Sequence, residues 1–149
     1  MIIQPILDLV AICAQKGIQN AILSPGSRCA PLTLAFARHP EIHSRTISDE
    51  RSAAFIALGM AQQLGQPVVL VCTSGSAALN YFPAISEAFF QQIPLLILTA
   101  DRPTEWIDQW DGQTIFQEEV YGKHVKKTFR FPDSFEQKDQ VWHAGRIVN

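Results

Sequence analysis

The chain has 149 residues, 47% hydrophobic and 17% charged, enough apolar material for one domain with a real core. A net charge of −2 without a basic run argues against a nucleic-acid partner, and no apolar stretch reaches the roughly 18 residues a membrane span needs. Cys13, Cys29 and Cys72 are odd in number and lack Cys-x-x-Cys spacing, and Met1 to Val10 has no basic leader segment, so the expectation is a cytoplasmic protein with reduced thiols.

Residues 3 to 16 pattern as a helix, with Ile6, Leu9, Val10 and Cys13 on one face and Gly17 as its stop. Asn20 to Leu23 reads as a short buried strand, broken by Ser24-Pro25-Gly26. Pro31 to Arg38 is a second helix, closed by His39-Pro40, and Arg45 to Ile47 a second strand. A third helix opens at Asp49, a good N-cap, with Glu50 in its first turn. Ala53, Ala57, Met60, Ala61 and Leu64 then share one face before Gly65.

Pro67 to Cys72 and Pro94 to Ala100 are continuous apolar strands of the kind buried on both faces. Between them Ser74 to Gln92 is helical, with a break expected at Pro83, whose ring removes a backbone donor. Asp101 to His124 is long and irregular and carries Trp106 and Trp110; such loops are usually functional or disordered. Val125 to Phe131 is a candidate further strand. Ser134-Phe135-Glu136-Gln137 patterns as a capping box for a last helix that holds Trp142 in the core and reaches Asn149. No Gly or Pro stop follows, so the C-terminus reads as a cut in a longer chain. The strand–helix alternation predicts an α/β fold, a three-layer parallel sheet flanked by helices, over residues 1–149 as a single domain.

Four unusual connections follow the four strands: Ser24-Pro25-Gly26-Ser27-Arg28, Ser48-Asp49-Glu50-Arg51, Thr73-Ser74-Gly75-Ser76 and Asp101-Arg102-Pro103. Parallel strands bring all four to the carboxyl edge of the sheet, where open α/β folds bind ligands. Each has a plainer account by itself. Glu50 complements the helix dipole, Pro25-Gly26 makes a tight turn, and Asp101-Arg102 is a surface pair of little value. Thr73 to Ser76 resembles an anion-binding helix start but lacks the spacing of a Walker or dinucleotide loop. Pro40 spoils the helix that would aim His39 and His43 at one metal, so no metal site is expected. Convergence of four such loops favours a functional Glu50.

Ser24 to Arg28 with Ala30 to Leu34, Asp49 to Ala53, Thr73 to Ala77 with Asn80 to Ala84, and Pro94-Leu95 with Leu98 to Pro103 together resemble a known family. The resemblance covers about residues 4 to 131. It is to the N-terminal pyrimidine-binding domain of thiamine-diphosphate enzymes, and within them to the 2-succinyl-5-enolpyruvyl-6-hydroxy-3-cyclohexene-1-carboxylate synthases (MenD) of menaquinone biosynthesis. The acid-Arg pair and Thr-Ser-Gly belong to the wider superfamily; Ser-Pro-Gly-Ser-Arg with Ala-Asp-Arg-Pro is particular to the synthase.

The resemblance implies a transferase that decarboxylates 2-oxoglutarate and adds the succinyl unit to isochorismate. It implies thiamine diphosphate as cofactor, with Mg2+ held by a separate C-terminal domain through a Gly-Asp-Gly…Asn motif that this sequence lacks. Glu50 would hydrogen-bond N1′ of the aminopyrimidine and promote loss of the C2 proton. Burial raises a carboxyl pKa and a helix N-terminus lowers it, and the sequence does not rank the two. Pro25, Thr73, Ser74 and Gly75 would join Glu50 around the cofactor. Ser27, Arg28 and Arg102 would bind substrate, the arginines as bidentate carboxylate partners, and Gln113 of Gln113-Thr114-Ile115-Phe116-Gln117 would act beside Glu50 in catalysis.

Trp110-Asp111-Gly112 stands where the family has Gly-Ala-Asn, and Phe116 where a polar or basic residue is common. Arg51 stays open between site and helix surface. The further expectations are dicarboxylate substrates, a homodimer or homotetramer for the full-length protein, and no turnover by these 149 residues alone. The alternatives are the small subunit of a two-chain thiamine-dependent 2-oxo acid decarboxylase and a non-catalytic α/β dimerisation module.

Overall fold

The computed structural model describes residues 3–148; Met1, Ile2 and Asn149, the residue to which the last helix was expected to run, lie outside the described residues. Four strands, β1 (Asn20–Leu23), β2 (His43–Thr46), β3 (Val68–Cys72) and β4 (Leu95–Thr99), form one wholly parallel sheet in the order β2-β1-β3-β4. The helices are α1 (Gln4–Gln15), α2 (Ala30–Arg38), α3 (Glu50–Leu64), α4 (Ser76–Asn80), α5 (Phe82–Gln91) and α6 (Lys138–Val148). From β1 the chain steps outward through α2 to β2, returns over β1 through α3 to β3, and leaves through α4 and α5 to β4. The direction of travel therefore reverses between β1 and β3, which makes the carboxyl edge at these two strands the place where open α/β sheets bind ligands.

The pleat sorts the core into two layers. Ile22, Val68, Leu70 and Cys72 face α3, α4 and α5, against Ala53, Ala57, Ala61, Tyr81 and Ile85. Their neighbours Ala21, Leu23, Val69 and Val71 point the other way, against Val10 and Cys13 of α1, Phe36 of α2, and Ile42. Small residues on α3 let that helix lie close to the sheet. Gly65 ends it with φ +64°, its N–H donating to Ala61 O at 3.0 Å, a left-handed stop that glycine adopts without steric cost. The helical stretch after β3 breaks at Tyr81, and α5 restarts with Pro83 in its first turn, where no donor is lost.

Five expectations change. Every residue of β3 is buried, but β4 is only half-buried along its length, because among the described residues it is an edge strand with one neighbour. Val125 to Phe131 is not a strand: no described strand lies beside it, and its Lys126, Lys127, Thr128 and Arg130 are exposed. The last helix starts at Lys138, not at a Ser134 capping box, because Gln140 Oε1 reaches back to accept from Gln137 N at 3.1 Å and from Ser134 Oγ at 2.9 Å. Trp142 is 63% exposed with the Arg146 guanidinium 5.3 Å above its ring; Ala144 is the buried residue of this helix. Leu64 is 50% exposed in the last turn of α3, where it borders a surface hollow with Asn20, Arg45 and Met60.

Candidate functional site

At the end of β1 the Ser24 amide still donates to Val71 O at 2.8 Å, and Ser24 is fully buried beneath the Tyr81 hydroxyl. The chain then turns sharply, with the Cys29 thiol donating to Gly26 O at 3.3 Å. Gly26 packs directly on Thr73: a Cβ there would stand 2.5 Å from Thr73 Cβ, closer than any side chain tolerates. That contact joins the loops after β1 and β3. Pro25 and Ser27 sit exposed on the rim, while Arg28 is half-buried and its Nη1 donates to Gln113 Oε1 at 2.9 Å.

The β2–α3 connection reaches the same edge. Ile47 N donates to Leu23 O at 3.0 Å, continuing the ladder, and Asp49 Oδ1 accepts from the Ser52 amide at 2.7 Å. That N-cap bond holds the Asp49 carboxyl below its ordinary range. Glu50 begins the helix, half-buried, and among the described residues no hydrogen bond or ion pair engages its carboxyl. Its charge is felt at the end of β3. Burial pushes the Cys72 thiol up to about 12, and the nearby Glu50 carboxylate adds to that rise.

After β3, Thr73, Ser74 and Gly75 are buried. Thr73 Oγ1 has no partner, an uncommon state for a buried hydroxyl. Ser74 Oγ donates to Gln113 O at 2.8 Å. Gly75 has φ +77° and ψ −141°, a conformation costly for any other residue, and a Cβ on it would stand 2.7 Å from the Gln113 carbonyl carbon. Its N–H donates to Gln117 Oε1 at 3.1 Å.

The loop after β4 folds back over these elements. Gln117, 8% exposed, accepts from Gly75 and donates through Nε2 to Thr99 Oγ1 at 3.1 Å and Ala100 O at 2.7 Å. It thus ties the ends of β3 and β4 to the loop. Asp108, Trp110, Gln113 and Glu119 all have positive φ, so the loop holds several non-glycine residues in the left-handed region. Arg102 Nη1 pairs with Asp111 Oδ2 at 2.6 Å, and Nη2 donates to Gly112 O at 2.7 Å. Asp101 beside it has its carboxyl pushed up, chiefly by desolvation.

One network therefore joins Arg28, Ser74, Gly75, Gln113 and Gln117, with Arg102 bound to it through Asp111 and Gly112. Glu50 and Thr73 stand at the same edge outside that network, and Pro25 and Ser27 lie on its rim. The donors of Ser74 and Gly75 are spent on the chain's own loop. Gln117 is the organising residue that the sequence does not single out; its signal was the four-residue spacing from Gln113. Among the described residues no group of three or more His, Cys, Asp or Glu is arranged to hold a metal, and no helix is long and apolar enough to cross a membrane.

Residues 8–126 match the model of the family described as "Thiamine pyrophosphate enzyme, N-terminal TPP binding domain". The chain is 56% identical over 146 residues to the 2-succinyl-5-enolpyruvyl-6-hydroxy-3-cyclohexene-1-carboxylate synthase of Cytophaga hutchinsonii, covering 98% of this chain and 26% of that protein. It is 58% identical over 118 residues to the synthase of the same name from Christiangramia forsetii, covering 79% of this chain and 20% of the relative. The corresponding protein of Porphyromonas gingivalis is 49% identical over 141 residues, 95% of this chain and 24% of the relative. The chain thus spans about a quarter of the length of the curated relatives it matches.

Proposed function

The chain belongs to the N-terminal TPP-binding domain family of thiamine pyrophosphate enzymes, and on that premise we propose that it is the pyrimidine-side domain of a synthase of the relatives' kind. Such an enzyme takes a succinyl unit from 2-oxoglutarate by decarboxylation and adds it to isochorismate, in menaquinone biosynthesis. The full-length protein would be a cytoplasmic homodimer or homotetramer. Diphosphate and magnesium would be held by residues outside these 149, which alone would turn nothing over.

The observation that carries the reading is Glu50: a half-buried carboxyl at the carboxyl edge of the sheet, engaged by no internal partner among the described residues, with Arg28 and Arg102 on neighbouring loops. The residues fit an aminopyrimidine. Glu50 offers a free carboxyl for a ring nitrogen, Thr73 Oγ1 is a buried hydroxyl lacking a partner, and Gly26 lets the loop after β1 close onto Thr73. Thiamine diphosphate supplies the stabilised carbanion chemistry that decarboxylation of a 2-oxo acid requires. Glu50 would hold and move a proton at the pyrimidine ring; Pro25, Ser74 and Gly75 would shape the wall beside it. Arg28 and Arg102, with Ser27, would orient the substrate carboxylates through charge-assisted hydrogen bonds. Gln113, already bonded to Arg28, would place its amide against the reacting group.

Glu50→Gln in the full-length protein tests the assignment. The amide keeps the shape and removes the proton-accepting role, so C2 proton exchange of bound thiamine diphosphate, followed by NMR, should fall by about 10²–10⁴-fold. Exchange at the parental rate overturns the catalytic role. Replacing Arg28 or Arg102 by Ala should raise the KM for 2-oxoglutarate while leaving cofactor affinity unchanged.

A further inference from the structure

Arg102 is already paired with a carboxylate from its own chain. Asp111 Oδ2 lies 2.6 Å from Nη1, and Gly112 O accepts from Nη2 at 2.7 Å. The third face of the guanidinium is unused: Nε is buried and has no partner. We propose that Asp111 is an internal competitor for the carboxylate seat on Arg102, a strap that an incoming dicarboxylate must displace before it binds. The proposal rests on Arg102 being a carboxylate-binding residue, as assigned above.

Three features of the structure support it. First, the side chains of Arg102 and Asp111 are 20% and 30% exposed, so the pair is partly shielded from solvent yet reachable from it. An arginine shielded to this degree gains more from a carboxylate than one on the open surface. Second, Nε is buried, so the edge of the guanidinium that a substrate carboxylate can reach is the one spanning Nη1 and Nη2, which Asp111 Oδ2 and Gly112 O already fill. Third, the strap is built to move. Asp108 and Trp110 hold left-handed backbone, and the Trp110 side chain between Asp108 and Asp111 is fully exposed, so no core packing anchors Trp110; the loop is pinned only further on, at Gln113, whose carbonyl accepts from Ser74 Oγ at 2.8 Å. The neighbouring Gln113 occupies Arg28 with a neutral amide, at 2.9 Å. Residues 111 to 113 therefore engage both arginines at once, and lifting Asp111 and Gly112 frees Arg102 while Gln113 stays tied to Ser74.

The test uses the full-length protein without cofactor and succinate as a dicarboxylate probe that lacks the 2-oxo group and cannot react. Asp111→Asn is the chosen variant because its amide oxygen can still accept from Gly112 N, the bond Asp111 Oδ1 makes at 2.9 Å. Calorimetric titration should show succinate binding Asp111→Asn about three- to tenfold more tightly than the parent, the range of a partly screened ion pair. Asp111→Glu, which keeps the competing charge, should stay within about twofold of the parent on the same argument. Hydrogen exchange across residues 104 to 117 should rise when succinate binds the parent. Unchanged or weaker binding by Asp111→Asn, with binding still dependent on Arg102, overturns the strap and leaves the carboxylate-binding assignment standing. Binding that is absent, or that survives both Arg28→Ala and Arg102→Ala, overturns that assignment and the strap with it.

Discussion

Replacing Gln117 by Glu changes one atom and reverses the sense of one hydrogen bond. The carboxylate still accepts from the Gly75 amide, and the Thr99 hydroxyl can rotate to donate. The other oxygen, however, takes the place of Nε2, 2.7 Å from the carbonyl of Ala100. Two acceptors then face each other in a buried position, Ala100 O loses its donor, and an ionised group stands where a neutral one was. A lost bond with an unsatisfied buried partner amounts to about 2–4 kcal/mol at neutral pH. Protonation repairs the defect, because the acid O–H can donate to Ala100 O. The folded-state pKa of the new carboxyl is thus raised above the unfolded value of about 4.3. The penalty is absent below that value and grows as pH rises through it to the folded pKa. The check is the thermal midpoint of parent and variant at pH 7.5 and pH 5, with hydrogen exchange across residues 73–75 and 111–117 as the local readout. The variant should melt lower at pH 7.5, exchange faster in both segments, and recover part of the gap at pH 5. Equal midpoints at pH 7.5, or a gap that widens on acidification, would refute the role given to Gln117.

Two further outcomes follow from packing and burial. Gly26→Ala drives a Cβ to 2.5 Å from Thr73 Cβ, a branched and buried neighbour, and should cost about 1–3 kcal/mol in urea unfolding; an unchanged midpoint would mean the two loops do not meet. Burial raises the Cys72 thiol to about 12 and the Cys13 thiol to about 11, so native protein at pH 8 should take up iodoacetamide at neither position until denaturant is added, as read by peptide mass spectrometry. Rapid native labelling of Cys72 would contradict the closed end of β3.

What the sequence by itself determined is whatever short-range chemistry encodes. The Asp49 cap, the Gly65 stop, the Pro83 restart and the apolar runs 20–23 and 68–72 each act within a few residues, so strands and helices fall close to their expected bounds. Alternation of those elements was enough to imply a parallel sheet and a shared edge for Arg28, Glu50, Thr73 and Arg102. Tertiary structure alone decided which strands have two neighbours: Leu95 to Thr99 has the composition of a central strand and lies at an edge. It also decided that Val125 to Phe131 stays irregular and that Trp142 faces solvent, since both depend on whether another element is there to pack against. The loop after β4 shows the division most sharply. Gln113 and Gln117 look equivalent in sequence, yet one is exposed beside Arg28 and the other is buried between Gly75 and Ala100. Asp111 reads as one more surface acid until the fold places it on Arg102, nine residues away. Contacts of this kind depend on where a loop with no period of its own comes to rest, and only the packed molecule supplies that.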